Sequence, residues 1–412
     1  MKIKFSFERI LLLIVGFPLL GCLGSSQEKL ILWSSLRPVE RELLQKKLNE
    51  FGEDYPQYQF QELFYSTEEL RTNYIISSLA GKGPALIHGA SDNIGPLSEL
   101  KVIMPLESFF SEAFLDSYIT EPFSANTKFN GHLFQIADRV GNHLCLVYNK
   151  NLLTTPPKTF SELIEWWKTS SLNQSDEDDN YALAWNYTEP FFAVPFIGGF
   201  NGWILDKDNS PTLNTEAVVK ASQFIYDLAH QYEVIPKECD YETANALFLD
   251  GKSAMIINGP WSWGTYIKSG MNIGLSRIPK IDETGNWPTP LVAPLGYMIN
   301  VNLKGEKLKV VIQLVRYLTS AKVQKEFAQE FNIIPSLKAV LYDSELKQDD
   351  LYVAALDQME VGRAMPVITE LRWIWDAMRP AYQGIFTGAY SPNEAAKEMQ
   401  ALAEKLIQEN RE

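Results

Sequence analysis

Short apolar runs alternate with helical segments from residue 30 onward, and this alternation constrains the fold more than any other feature of the sequence. Residues 30–33 (LILW) and 85–87 (ALI) are typical of strands buried in a sheet that helices cover. Between them, Glu69 follows Ser66 at the spacing with which many helices begin. The order strand, helix, strand, helix, strand predicts an α/β fold with doubly wound sheets.

The same pattern continues along a chain that is long enough for two domains with separate cores. Apolar residues recur at helical spacing over residues 217–228 and 310–318. Ligands of doubly wound sheets bind beyond the carboxyl ends of the strands. Residues that follow the first three predicted strands are therefore candidate binding residues, and these include Arg37, Tyr65 and Asp92.

The first 21 residues have the pattern of an export signal. Three basic residues accompany an apolar run at residues 10–20, which is shorter than the ~20 residues that a membrane-spanning helix needs. Removing this segment would take the formal net charge from −14 to about −16, because it holds three basic residues and one acidic residue. Such an acidic protein argues against nucleic-acid binding, for which a basic surface is expected.

The export signal ends in residues 19–22 (LLGC), which resemble the lipobox of bacterial lipoproteins. In a lipoprotein, cleavage before the cysteine leaves that cysteine lipid-modified. The resemblance implies a signal peptide over residues 1–21, a lipid on Cys22 that anchors the protein to a membrane, and a polar tether over residues 22–28. The alternative is an ordinary signal peptide with an incidental cysteine.

The remaining cysteines and the histidines show no pattern of a metal site. Cys145 and Cys239 lie far apart in sequence, and we expect both to be small apolar side chains of the core, although a disulfide between them stays open. The four histidines lack the close spacing of zinc ligands. We therefore expect neither a metal nor another cofactor.

Residues 248–261 (FLDGKSAMIINGPW) resemble the F-x-x-G-K-x-A-M-x-x-x-G-P-W signature of the maltodextrin-type extracellular solute-binding proteins. Three further matches occur in the order of that family: residues 148–160, residues 189–192 (EPFF), and a Met-Pro pair at 365–366 that Trp375 and Arg379 follow. The chain is identified on these segments as a member of the family.

The resemblance implies a two-lobed, periplasmic-binding-protein-like fold of type II, in which two α/β lobes close on a ligand about a hinge. One lobe would hold residues 29–142 and about 298–345, and the other residues 143–297 and about 346–412. The implied function is capture of a sugar outside the cell and its delivery to the transmembrane subunits of an ABC permease. The resemblance implies a monomer without enzymatic activity.

A sugar site needs aromatic rings for the C–H faces and polar groups for the hydroxyls. The resemblance implies that Trp261 and Trp375 stack on the ligand and that Phe191 and Phe192 form an aromatic pair beside them. For other tryptophans, Trp33 among them, we expect packing in the core or at the rim of the cleft.

The polar candidates lie after the strands and at the two crossings between the lobes: Asp92, Glu189, Arg139, Asn142, Gly296 and Tyr297. Each of them has a structural role as its alternative, which for Asp92 is capping of a helix. Arg37 stands where maltodextrin binders have an Asp-Lys pair, Gly89 replaces a tryptophan, and Asn142 replaces a glutamate. These losses of acceptors and of one stacking ring favour a shorter ligand, such as a disaccharide or a glycosyl polyol.

Three other functions remain as alternatives. A glycosidase would need two carboxylates across a sugar, for which Asp92, Glu189 and Glu370 are the candidates. The same fold also serves receptors that signal through a membrane sensor. A non-sugar solute, such as a polyamine or a metal chelate, is the third alternative, and the aromatic candidates favour a sugar over it.

Overall fold

A computed structural model describes residues 27–120, 123–175 and 179–411 of the chain. The expected signal peptide, the lipid attachment at Cys22 and nearly all of the tether lie outside these residues. The strands are β1 (Glu28–Ser34), β2 (Tyr58–Phe64), β3 (Leu86–Ala90), β4 (Thr127–Phe129), β5 (His132–Gly141), β6 (Cys145–Asn149), β7 (Tyr181–Ala184), β8 (Ser253–Asn258), β9 (Ile273–Ser276), β10 (Leu291–Ile299), β11 (Ile334–Pro335) and β12 (Arg363–Ala364).

The α-helices alternate with these strands along the chain. They are α1 (Pro38–Gly52), α2 (Thr67–Leu79), α3 (Ile94–Glu99), α4 (Glu112–Asp116), α5 (Phe160–Thr169), α6 (Val194–Gly199), α7 (Glu216–His230), α8 (Tyr241–Leu249), α9 (Pro260–Lys268), α10 (Gly305–Leu318), α11 (Ala321–Phe331), α12 (Lys338–Leu341), α13 (Asp350–Glu360), α14 (Leu371–Thr387) and α15 (Pro392–Arg411). Short 3₁₀ turns occupy Ser91–Asn93, Pro190–Phe192 and Leu346–Gln348.

Two sheets divide the described residues into two lobes. The first has the order β11-β5-β10-β3-β1-β2, with β4 beside β5 and β12 beside β10, and the second has the order β7-β8-β6-β9. In the first sheet β1 runs parallel to both β2 and β3, whereas β10 is antiparallel to β3 and to β5. The α/β architecture with two lobes is therefore confirmed, and both sheets are of mixed orientation.

Local sequence accounts for where the principal helices begin. Ser66 and Ser391 each donate from their backbone N–H and hydroxyl to a glutamate three residues on, so α2 and α15 begin directly after a serine. The helix α2 starts where the capping spacing of Ser66 and Glu69 predicts, and Ser391 and Glu394 have the same spacing before α15. The residues of β8 are all buried, as expected for a central strand of a helix-covered sheet. Cys145 and Cys239 are buried and unpaired, which confirms their expected place in the core.

The chain passes between the lobes near residue 142 and again before residue 293. The first link joins β5 to β6 over residues 142–144, where the expected boundary falls. The second expected boundary, between residues 297 and 298, needs correction, because residues 293–299 already pair with β5 and β3 of the first sheet. The apolar run of β10 is thus one continuous strand of the first lobe rather than a crossing segment.

Candidate functional site

The cleft between the lobes is lined on the first side by the carboxyl ends of β1, β2 and β3. Because these three strands are parallel, the segments that follow them open at the same edge of the sheet. The opposite side consists of α9, the 3₁₀ turn Pro190–Phe192 and the first half of α14. At the hinge, a cavity of about 80 Å³ is lined by Arg37, Glu40 and Asn142 on one side and by Trp261 on the other.

A buried network of ion pairs supports the first-lobe side. Glu40 accepts a hydrogen bond from Arg139 at 2.6 Å and another from the Arg37 Nε at 3.0 Å. Arg139 also donates to Asp138 at 2.9 Å, and the second oxygen of Asp138 lies 2.9 Å from the His88 Nε2. Burial alone would raise the pKa of Glu40, but the charges and N–H donors of the two arginines lower it to about 2.

Arg139 and Arg37 use this network differently. The Arg139 guanidinium is committed to Glu40 and Asp138, so its geometry is that of a structural group rather than of the expected ligand contact. Arg37 gives only its Nε and backbone N–H to Glu40, and its two terminal nitrogens are buried without a hydrogen-bond partner. Asn142 adopts a left-handed conformation with φ of 46° and lines the cavity beside them.

Trp261 and Phe191 form the aromatic side of the cleft. Both side chains are half-buried, and their ring centroids lie 6.3 Å apart at an interplanar angle of 56°. Gly259 leaves room for the Trp261 indole, because a Cβ atom on residue 259 would lie 2.1 Å from that ring. The structure thus brings together two of the aromatic residues that the resemblance selected.

The other two expected aromatic residues are more deeply buried. Phe192 is 4% exposed, and Trp375 is 6% exposed on the face of α14 that packs against the second lobe. Apolar residues recur along this face at helical spacing, which explains why a tryptophan in it enters the core. The lobes as they stand leave little of either ring for a ligand.

Charged residues from both lobes meet at the mouth of the cleft. Glu68 of α2 pairs with Arg372 of α14 and with Arg71 of its own helix.

Asp92 lies in the 3₁₀ turn beyond β3 and caps no helix, so the capping role that was its alternative is not seen. Burial raises the pKa of Asp92, although the charges of Arg372 and Arg71 oppose that shift. Sequence reasoning missed Glu68 and Arg372, since only the fold brings these two residues together.

Glu189 and Tyr65 occupy the rim on opposite sides. Both carboxylate oxygens of Glu189 lie 3.3 Å from the Arg379 Nη2. This ion pair holds the exposed Glu189 side chain, which precedes Phe191 by two residues. Tyr65 follows β2, and its ring lies 4.6 Å from that of Trp33, which is half-buried. Both rings pack against the smaller core cluster of the first lobe, around Leu70 and Tyr74.

Gly296 and Tyr297 do not reach the cleft, contrary to expectation. They lie in the middle of β10, between β3 and β5, where a Cβ atom on Gly296 would be 2.3 Å from the Ile136 carbonyl oxygen. Tyr297 is 2% exposed and packs with its ring 4.9 Å from that of His88. The close approach of two strands, rather than a ligand, explains the glycine.

Neither a metal site nor a membrane span is found in the part of the chain that the structure describes. Its histidines, cysteines and carboxylates form no group of three or more that could hold a metal ion. None of its helices combines the length and the apolar character needed to cross a bilayer.

Comparisons with known proteins agree with this geometry. The family model of the bacterial extracellular solute-binding proteins matches residues 47–354. The maltotriose-binding protein of Pyrococcus abyssi is 25% identical over 362 residues, which are 87% of this chain and 77% of that protein. The galactooligosaccharide-binding protein of Bacillus subtilis is 24% identical over 80% of this chain and 78% of its own length.

Solved structures extend the likeness to the whole described fold. The maltose/maltodextrin-binding domain MalE from Bdellovibrio bacteriovorus bound to maltotriose is 40% identical, with a TM-score of 0.85 over 92% of this chain and all of that one. The maltotriose-binding protein of Thermus thermophilus, 22% identical, shares the fold with a TM-score of 0.82 over the same shares of the two chains. With three quarters of its length matched by the family model, the chain belongs to the bacterial extracellular solute-binding protein family.

Proposed function

We propose that this protein captures a sugar outside the cell and delivers it to the transmembrane subunits of an ABC permease. The observation that carries the proposal is the half-buried Trp261 ring, which lines an interlobe cavity together with the polar residues Arg37, Glu40 and Asn142. The Phe191 ring lies beside Trp261, with 6.3 Å between the two centroids. Aromatic rings cover the C–H faces of a sugar, and polar groups at the edges bind its hydroxyls. The relatives that bind maltotriose and galactooligosaccharide support the same ligand class.

The proposed binding residues fall into two groups. The first lobe contributes donors and acceptors at its strand ends, and the second contributes the rings with a carboxylate beside them: Arg37, Tyr65, Asp92 and Asn142, then Glu189, Phe191, Trp261 and Trp375. Trp375 is included from the family resemblance, and the 6% of its surface that is exposed is what it would offer to the ligand. Phe192, Arg139, Gly296 and Tyr297 support these groups from the core.

The proposed mechanism is a shift of population between open and closed lobes. A sugar that touches both walls binds fully only when the lobes approach, so it selects the closed form. The ion pair between Glu68 and Arg372 shows that the two lobes already meet at the mouth. The closed form then docks on the permease as a monomer.

We further propose that the protein is exported and anchored by lipid at Cys22, with the signal peptide removed. Lipoproteins of Streptococcus pneumoniae that bind maltooligosaccharide, 24% identical to this chain, support this arrangement. Replacing Cys22 with Ser should release the protein from the membrane fraction of cells, whereas an unchanged distribution would contradict the lipid anchor.

A thermal-shift screen of the purified protein against uncharged sugars, acidic sugars, polyamines and glycerol phosphate tests the ligand class. A ligand that binds only the folded state raises the melting temperature, and the stabilisation grows with the logarithm of the ratio of ligand concentration to Kd. We expect shifts with uncharged di- or trisaccharides, such as maltotriose. A shift with polyamines alone, or hydrolysis of the sugars, would contradict the proposal.

A further inference from the structure

Arg37 holds two hydrogen-bond donors in the cavity without a protein acceptor. Its side chain is only 14% exposed, and both terminal nitrogens are buried and unpartnered. Charged donors that are buried without an acceptor are costly, and native proteins rarely keep them without a use. The position of these nitrogens therefore calls for acceptor atoms that the protein itself does not supply.

The surroundings of Arg37 prevent it from satisfying these donors internally. Its Nε and backbone N–H already donate to one oxygen of Glu40, at 3.0 and 3.2 Å. The other oxygen of Glu40 is taken by Arg139. On its far side the guanidinium lies near the Phe331 ring, with 5.9 Å between the Cζ atom and the ring centroid, and a ring supplies no lone-pair acceptor.

Gly264 of the second lobe provides the space for the guanidinium. A Cβ atom added at this residue would lie 2.8 Å from the Arg37 Nη1, and the three nearest atoms it would meet outside its own helix backbone all belong to Arg37. Gly264 sits inside α9, where alanine would favour the helix more than glycine does. The glycine is therefore unfavourable for the helix and favourable for the position of Arg37.

We propose that Arg37 forms a donor-only subsite at the hinge end of the cleft, and that Gly264 is the positioning residue that keeps it open. The ligand group seated there accepts hydrogen bonds through two oxygens, as a pair of neighbouring sugar hydroxyls does. This inference rests on the proposed function and adds to it the polarity of one end of the ligand. It also makes Gly264 a determinant of affinity although it carries no side chain.

The test is calorimetric titration of maltotriose into four proteins: the wild type, Arg37→Gln, Gly264→Ala and the double variant. We expect Arg37→Gln to weaken binding by about ten- to a hundredfold, since hydrogen bonds from a charged group are lost. Gly264→Ala should weaken it by about tenfold while its melting temperature stays equal to or above that of the wild type. The double variant should bind no more weakly than Arg37→Gln alone, because the added methyl group acts through Arg37.

Arg41→Gln is the matched control, in the first turn of α1, which begins directly after Arg37. Arg41 pairs with Glu62, lies outside the cavity and should leave maltotriose affinity unchanged. Equal affinity of the wild type and Arg37→Gln, or additive losses in the double variant, would overturn the inference. A disaccharide that the wild type binds in the thermal-shift screen replaces maltotriose as titrant if it binds more tightly. Failure of the wild type to bind any of the uncharged di- or trisaccharides would instead contradict the proposed function on which the inference rests.

Discussion

The two walls of the cleft are built in different ways. The first-lobe wall is polar, and the carboxylates of Glu40 and Asp138 pair with the guanidinium groups of Arg37 and Arg139 beneath the surface. The second-lobe wall is aromatic, with Trp261 and Phe191 at its surface. Directional hydrogen bonds fix which ligand oxygens fit, whereas ring faces supply contact area with little demand on orientation. Under the proposed function, we expect the first lobe to set selectivity and the second to supply much of the affinity.

The largest effect on stability should come from the buried part of the aromatic wall. Trp375→Ala is expected to lower the free energy of unfolding by about 3–5 kcal/mol, because it removes a large side chain that is 6% exposed. Denaturant unfolding monitored by far-ultraviolet circular dichroism measures this. A decrease in unfolding free energy below about 1 kcal/mol would mean that the ring is exposed in solution. Trp375 would then be a surface residue of the aromatic wall and available to a ligand.

The charged wall should lose stability next. Glu40→Gln leaves Arg139 and Arg37 without their shared carboxylate, and we expect a loss of about 3 kcal/mol near neutral pH. The pKa of Glu40 is about 2 in the folded protein, against the ordinary glutamate value of 4.5 that applies to the unfolded chain. Its contribution is therefore complete above pH 4.5 and disappears as the pH falls toward 2.

Glu40→Gln is the control for this pH dependence, because its amide does not titrate. The difference in unfolding free energy between the wild type and Glu40→Gln, measured from pH 6 to pH 2.5, should shrink as the solution becomes more acidic. A difference that is constant across this range would show that Glu40 contributes through packing alone.

The exposed ring of the aromatic wall should change binding more than stability. Trp261→Ala is expected to weaken maltotriose binding by about 2–3 kcal/mol, roughly a hundredfold in Kd. The half-buried ring contributes less to the core than Trp375 does, so the melting temperature should fall less than in Trp375→Ala. Trp261→Phe keeps an aromatic face and should recover part of the affinity. Equal losses with Phe and Ala would contradict stacking.

The sequence predicts individual helices and strands better than it predicts which sheet a strand joins. Local capping signals identify where α2 and α15 begin, because a serine and a glutamate three residues apart satisfy each other without help from the rest of the fold. Apolar runs identify strands β1 and β3, because a run of apolar side chains is also a local pattern. The crossing before β10 was misplaced, since an apolar run indicates a strand without revealing which sheet it joins.

The site shows the same division. The signature of residues 248–261 identifies Trp261, which the first turn of α9 presents at the cavity. It does not reveal that Trp375 is buried, that Tyr297 packs under the cleft, or that Arg139 is engaged by Glu40. Those outcomes depend on residues about a hundred or more positions away in the chain, so no local pattern carries them.

A crystal structure of the protein with maltotriose tests the central claim most directly, namely that a sugar binds between a polar wall and an aromatic wall. We expect a sugar ring against the Trp261 indole and sugar oxygens within hydrogen-bond distance of both terminal nitrogens of Arg37. Sugar bound outside the cleft, or bound in it with Arg37 still without an acceptor, would contradict the account.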